Sequence, residues 1–343
     1  MALHLVTGGA GFVGGQVVRA LAARGERVRI LDRIEPTDAP AGVEVVRGDL
    51  LDGPLVAAAL AGVDTVHHHA ALVPVTKAGA EFRRVNAEGT ALLLKAARKA
   101  AVRFFVHVSS SAVFGIPAQC PITETTPPRP VEEYGRSKLE AERHVEQAAR
   151  DGLPCAIVRP RIVIGPGRLG IFKILYEWIA EGRKIWVIGD GGNRFQFVDV
   201  DDLVAALLAV TERRATGVYN VGAEPFGTLR DDLGGLIRHA GSRSRVVGVP
   251  APLARALLRA LDRLGLSPLG PYHYAVYSES FHFDLSAAKQ RLGWRPRWGN
   301  VASLNRSYDW FASERGRLGQ SGEQSTHRTP AREGLLGVLR RIS

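Results

Sequence analysis

Along the first 165 residues, short apolar runs rich in β-branched residues alternate with longer Ala/Leu-rich stretches whose apolar positions recur every three to four residues. The short runs predict strands at His4–Val6, Val28–Leu31, Val43–Arg47, Thr65–His67, Phe104–Val108 and Cys155–Val158. The longer stretches predict helices at Phe12–Arg24, Pro54–Ala61, Ala80–Ala100 and Val131–Asp151. Repeated strand–helix–strand units imply an α/β fold, a doubly wound parallel sheet with right-handed crossovers, and ligands bind such sheets beyond the strand C-termini. After Gly165-Pro166-Gly167 the rhythm changes. A helix over Ile171–Glu181, strands at Ile185–Ile188 and Phe195–Val198 and a helix at Asp201–Thr211 precede longer irregular stretches with basic helices. The expected organisation is a first domain over 1–165 to which 190–212 return, a smaller substrate-covering lobe interleaved over 166–311, and a tail over 312–343. That tail is Gly/Ser/Gln/Arg-rich and expected to be disordered, despite a short amphipathic Gly334–Ile342 segment.

Composition narrows the class. The chain has 343 residues, 45% of them apolar, which is ordinary for a globular protein. No apolar run is long enough to span a bilayer, and Ala2–Val6 lacks the basic flank of a signal peptide, so a cytoplasmic protein with no membrane partner is expected. Cys120 and Cys155 offer neither a disulfide framework nor a metal set. His67-His68-His69 follows a strand-like run, where successive side chains point to opposite faces, so no metal site is expected there. The formal net charge of +11 invites a nucleic-acid reading. Against it, the arginines are scattered, and no recognition helix, zinc knuckle or basic–aromatic alternation accompanies them. An arginine-rich surface and a pocket for an anionic small molecule account for the charge better.

The strongest chemical signal lies at the N-terminus, where Thr7-Gly8-Gly9-Ala10-Gly11-Phe12-Val13-Gly14 joins the first strand to the first helix. Gly8 allows the tight turn, Gly11 lets backbone approach a pyrophosphate, and Gly14 lets the helix pack closely, with the helix start facing the phosphates. Asp32 ends the next strand at the spacing expected of a carboxylate that binds the adenosine ribose hydroxyls. It would repel a 2′-phosphate, which favours NAD over NADP, although the adjoining Arg33 could receive one. In Gly48-Asp49-Leu50 the carboxylate either accepts the adenine amino group or caps the helix that follows.

Tyr134-Gly135-Arg136-Ser137-Lys138 opens a predicted helix, and the i, i+4 spacing puts Tyr134 and Lys138 on one face. A phenol is a weak acid at neutral pH. A neighbouring ammonium is expected to stabilise its phenolate and bring proton transfer within range.

With these in place, the chain resembles the extended short-chain dehydrogenases/reductases, the NAD-dependent epimerase/dehydratase family with its Rossmann-type sheet. TGGAGFVG, Asp32, Gly48-Asp49-Leu50, His69-Ala70-Ala71, Asn86 in VNAEGT, SSSAVFG, YGRSK, FVDVDDL, YNVG and DLSAAKQRLGWRP occur in the family's order, over residues 2 to about 311. The resemblance implies that Ser110 joins Tyr134 and Lys138 as the catalytic set, with Lys138 also holding the nicotinamide ribose. It implies that Ser109, Asn86, Ala70 and Pro160 face the cofactor with Phe12, Val13, Leu50, His69 and Ala71. It also implies a small-molecule substrate and a homodimer.

The reaction is less constrained. Family dehydratases carry acids just after the catalytic Ser/Thr, where this chain has Ser111 and Ala112, neither able to deprotonate carbon. Three readings remain, with the UDP-hexose type of nucleotide-sugar epimerase placed first and the alcohol/ketone oxidoreductase as its alternative. A nucleotide-sugar epimerase is supported by Arg194 in NRFQFV, which matches an arginine that binds the nucleotide diphosphate; Ser111 and Arg161 would also face such a substrate. A 3β-hydroxysteroid-dehydrogenase-like alcohol/ketone oxidoreductase with exchangeable cofactor is supported by Ile162, where sugar-nucleotide enzymes carry asparagine. A missing second arginine near Tyr274, and an aromatic cluster of Tyr272, Tyr274, Tyr277 and Phe281, point the same way. A non-catalytic NAD-binding regulator is the least economical, because Ser110, Tyr134 and Lys138 are all present.

Overall fold

A computed structural model describes residues 1–74, 78–263 and 276–317. Its order opens with β1 (Leu3–Thr7), α1 (Phe12–Ala23), β2 (Arg27–Asp32), β3 (Glu44–Arg47), α2 (Gly53–Ala59), β4 (Thr65–His68), α3 (Gly89–Lys99) and β5 (Phe104–Val108). It continues with α4 (Glu133–Arg150), β6 (Cys155–Pro160), β7 (Ile162–Ile164), α5 (Ile171–Ala180), β8 (Ile185–Ile188), β9 (Phe197–Asp199), α6 (Val200–Arg213) and β10 (Gly217–Val221). The closing elements are α7 (Leu229–His239), β11 (Val246–Val249), α8 (Ala251–Arg263), α9 (Ser286–Leu292) and α10 (Asn300–Glu314).

Among the described residues, one sheet has seven strands in the order β10-β6-β5-β4-β1-β2-β3. Every neighbouring pair in it is parallel. All five residues of β1 are buried, because helices cover both faces of the sheet and leave no side for water. The alternation of the pleat divides that burial. Val6 packs with α1 and α6 on one face, whereas Leu3 and Leu5 pack with α2, α3 and α4 on the other. The first face is continuous with the C-terminal half: α5, α7, α9 and α10 contribute to the same apolar cluster as β1 and α1.

Three details qualify the sequence-based expectation. Residues 190–212 pack on the main sheet through α6 but add no strand to it. β9 begins at Phe197 instead of Phe195 and pairs with β7 in a separate two-stranded sheet, and the strand that completes the main sheet is β10. The helix expected over Ala80–Ala100 opens with a π-turn at Arg83–Glu88 before α3 begins. α10 runs through Glu314, into the tail expected from about residue 312, and residues 318–343, where the rest of that tail falls, lie outside the described residues.

The chain order reverses direction across the sheet between β1 and β4, and a doubly wound sheet offers its crevice at such a point. A cleft of about 410 Å³ opens there, beyond the C-terminal ends of the strands.

Candidate active site

One end of the cleft is built by the turn after β1. Gly8 has φ +71°, and a Cβ on it would lie 2.7 Å from Ala70 N; a Cβ on Gly14 would lie 2.1 Å from the Gly8 carbonyl oxygen. Both positions therefore require glycine, for the turn and for the approach of α1 to the strand. α1 starts at Phe12 with no side-chain cap and no acidic residue in its first turn, which leaves its first N–H groups open to the cleft. Asp32 ends β2 and lines the same space. Its Oδ2 accepts from Ala10 N and its Oδ1 from Ile34 N, both near 3 Å. Each oxygen keeps a lone pair for a ribose hydroxyl.

Arg33 and Asp49 stand beside it, 3.7 Å apart. Asp49 accepts from Leu51 N, and the cap of α2 is Asp52, so the capping alternative for Asp49 falls away. Ser109 Oγ is buried with no hydrogen-bond partner among the described residues, and it also lines the cleft. A carboxylate at the ribose position, an open helix start, a glycine floor and an orphaned hydroxyl fit a dinucleotide.

Where α4 meets the cleft, Glu132 caps the helix with both carboxylate oxygens, accepting from Tyr134 N and Gly135 N at 2.8 Å each. Tyr134 and Lys138 follow one turn apart, both buried and both lining the cleft. Lys138 Nζ donates to the Val108 carbonyl at 2.7 Å. Ser110, in extended backbone after β5, accepts from Ala112 N and hydrogen-bonds the Tyr134 hydroxyl. Burial pushes the Tyr134 phenol up to about 12, opposed by the Ser110 bond and by Arg168. Burial likewise pulls the Lys138 ammonium down to about 8, with Glu142 opposing. The expected lowering of the phenol by Lys138 is thus outweighed by desolvation, and the cation that acts on it here is Arg168.

Beneath this set lies a group of buried imidazoles. His4 Nδ1 and His67 Nε2 are 3.2 Å apart. His68 bridges Thr7 Oγ1 (2.7 Å) and Thr90 Oγ1 (2.8 Å). The ring of His107 is 5.3 Å from that of His68. Burial lowers the pKa of all four, and it lowers His69 to about 3. They are neutral, and no metal-binding group of three forms among the described residues.

Of the residues expected at the site, Gly8, Gly11, Phe12, Val13, Gly14, Asp32, Arg33, Asp49 and Leu50 all border the cleft. So do His69, Ala70, Ala71, Ser109, Ser110, Ser111, Tyr134, Lys138, Pro160 and Arg161. Asn86 does not. Its amide bonds Leu72 through both its oxygen and its nitrogen, and also bonds Ser137, bracing the wall from behind. Nor does Arg194, which is exposed, with its guanidinium 4.7 Å from the Phe226 ring.

Arg161 is buried. It donates to Ser111 Oγ at 2.9 Å, and its guanidinium lies 3.9 Å from the Phe281 ring centroid. Arg168 and Glu132 were missed from sequence. A cation directly after Gly165-Pro166-Gly167, at the C-terminal end of a strand, was an available signal. Tyr272 and Tyr274 lie outside the described residues.

The model of the NAD dependent epimerase/dehydratase family matches residues 4–222. The chain belongs to that family. Among the family's members, a 3 beta-hydroxysteroid dehydrogenase/Delta 5-->4-isomerase of Mycobacterium tuberculosis is 31% identical over 338 residues, covering 90% of each protein. A UDP-glucose 4-epimerase of Streptomyces lividans is 30% identical over 339 residues, covering 90% of this chain and 96% of that one. Among solved structures, dTDP-glucose 4,6-dehydratase DesIV from Streptomyces venezuelae, with NAD and TYD bound, superposes with a TM-score of 0.76 at 27% identity, covering 93% of this chain and 99% of that one. In the family's terms the chain is an NAD-dependent enzyme of extended short-chain dehydrogenase/reductase type.

Proposed function

We propose that the protein is an NAD-dependent oxidoreductase that interconverts a secondary alcohol and its ketone on a largely apolar substrate. The observation that carries this reading is the apolar share of the cleft lining. Ile162, Val163, Ile171, Phe172, Leu203 and Val276 belong to it, while Arg194 stands outside. Apolar walls favour an apolar body, and a diphosphate would leave its charges facing hydrocarbon. Bound NAD supplies the hydride acceptor. The chain's own residues handle the oxygen. The Ser110 hydroxyl holds the substrate oxygen beside Tyr134, the Tyr134 phenolic oxygen takes or returns the proton at that oxygen, and Lys138, one turn along α4, would hold the nicotinamide ribose. Asp32 at the ribose end supports NAD over NADP. By resemblance the reading includes a cytoplasmic homodimer; no helix among the described residues is long and apolar enough to cross a membrane.

A second reading, nucleotide-sugar epimerase, is favoured by Arg161. It places a cation inside the cleft beside Ser111, and charge-assisted bonds suit phosphate.

Net redox separates the two. With added NAD, a hydrophobic secondary alcohol such as a 3β-hydroxysteroid is expected to raise absorbance at the reduced-nicotinamide band in proportion to substrate consumed. UDP-glucose and UDP-galactose are expected to remain unchanged without added cofactor. Tyr134→Phe is expected to keep NADH binding and lose roughly 10²–10⁴-fold in turnover. Inversion of a UDP-hexose with no net change in absorbance would establish the epimerase and reject the oxidoreductase.

A further inference from the structure

Between β7 and α5 the chain turns through Gly165-Pro166-Gly167-Arg168, and this turn leans on the start of α1. A Cβ at Gly167 would lie 3.6 Å from the Phe12 ring, and the Arg168 guanidinium is 5.9 Å from that ring's centroid. Phe12 is the first residue of α1 and follows Gly11, the point where the helix presents uncapped N–H groups to the cleft. Arg168, Gly11, Phe12 and Gly14 line the same cleft. The helix start offers partial positive charge and donors but no net charge. The guanidinium beside it offers a full charge and a planar fork that matches phosphate oxygens.

We propose that Arg168 is a ligand of the cofactor's diphosphate, closing from the β7–α5 turn the anion site that the start of α1 opens from below. The inference rests on the cleft being the NAD site, and it adds a residue from the second half of the chain to a cradle otherwise formed by the first. Burial draws the Arg168 guanidinium down to about 10, the condition of a cation held where water is scarce. Such a cation is stabilised most by an anion that enters with it. The nearby Tyr134 hydroxyl also feels this charge, so Arg168 stands between the start of α1 and the catalytic tyrosine.

The test needs no knowledge of the substrate. NADH binding is followed by its fluorescence in the full chain, and ADP and adenosine are each used to displace it, for the unmodified protein, Arg168→Gln and Arg168→Lys. Arg168→Gln is expected to weaken NADH and ADP by roughly 10- to 100-fold, the range of a charged hydrogen-bond partner. Adenosine is expected to bind as before, which also reports that the variant is folded. Arg168→Lys is expected to recover part of the loss. NADH affinity of the unmodified protein should fall more steeply with salt than that of Arg168→Gln.

NADH and ADP affinities within twofold of the unmodified protein in Arg168→Gln would overturn the proposal and leave the cation to the substrate. An equal loss of adenosine binding in both variants would overturn it too, since the effect would then be one of structure. An unmodified protein that bound neither NADH nor ADP would reject the cofactor site itself, an outcome distinct from a silent substitution.

Discussion

Lys138 places a charge where charge is costly. Burial holds its pKa near 8, against an ordinary value of 10.5. The folded state therefore binds the proton less tightly than the unfolded chain does. The lysine's contribution to stability is fully present above pH 10.5 and is lost as pH falls through about 8, so at pH 7 the ammonium opposes folding. Lys138→Met is expected to raise stability at pH 7 by about 1–3 kcal/mol, after allowing for the orphaned Val108 carbonyl, while removing activity. The gain should shrink as pH approaches 10.5. Denaturant melts at pH 7 and pH 10 check it, and a less stable variant at pH 7 would count against a costly buried charge. At this scale the sequence was most informative where geometry admits one residue type. Gly8 and Gly14 have no room for a Cβ, and Asp32 closes β2 at the cleft, so all three were legible. Arg194 and Asn86 were not. Whether a side chain enters a cleft depends on neighbours that no local pattern records, here Phe226 for one and Leu72 with Ser137 for the other.

α4 carries Tyr134 and Lys138, and its first turn is fixed by the two hydrogen bonds to Glu132. Removing that cap frees the backbone N–H of the tyrosine itself. Glu132→Ala is expected to cost about 1 kcal/mol of stability and to lower turnover more than it raises the Michaelis constant, because the misplaced hydroxyl affects the reacting oxygen and not the substrate's body. Glu132→Gln, which keeps an acceptor for one of the two N–H groups, should recover much of both. Steady-state kinetics with a thermal melt decides it; equal effects of the two substitutions would show that charge and not capping matters. The long amphipathic helices and the strands of the first half were legible because their periods are strong. β10 was not, since Gly217–Val221 has only its last three residues buried and joins the sheet through β6, far away in sequence. The π-turn before α3 also escaped notice, because an i→i+5 insertion leaves the apolar pattern of a helix nearly intact.

Across the whole molecule, the C-terminal segment is hooked at Asp202 to α6, which packs on the main sheet. Its carboxylate accepts from Arg297 N and Trp298 N, and its carbonyl accepts from Trp294 Nε1, all at 3.0 Å. Asp202→Ala would leave two N–H groups half-buried and unpaired, with an expected loss of about 2–4 kcal/mol. Urea unfolding followed by tryptophan fluorescence measures it, and a loss below 1 kcal/mol would mean the hook is redundant. The shared apolar cluster gives such a hook wide reach, since α10 and β1 lie in one core. A larger consequence follows from the imidazoles under the site. His4, His67, His68, His69 and His107 are all less basic when folded, whereas in the unfolded chain each titrates near 6.5. The stability they confer is full above pH 6.5 and is lost as pH falls toward their folded values, about 3 for His69. Each adds up to about 1.4 kcal/mol per pH unit in that window. Asp199, raised to about 6, opposes them, as do Glu132, Asp202 and Asp232, which burial also raises; the five imidazoles outnumber these four carboxylates. The unfolded chain is the stronger base. Mild acid should then denature this enzyme well before most of its carboxylates are protonated, and His107→Leu should flatten the dependence that urea midpoints trace between pH 7.5 and pH 5.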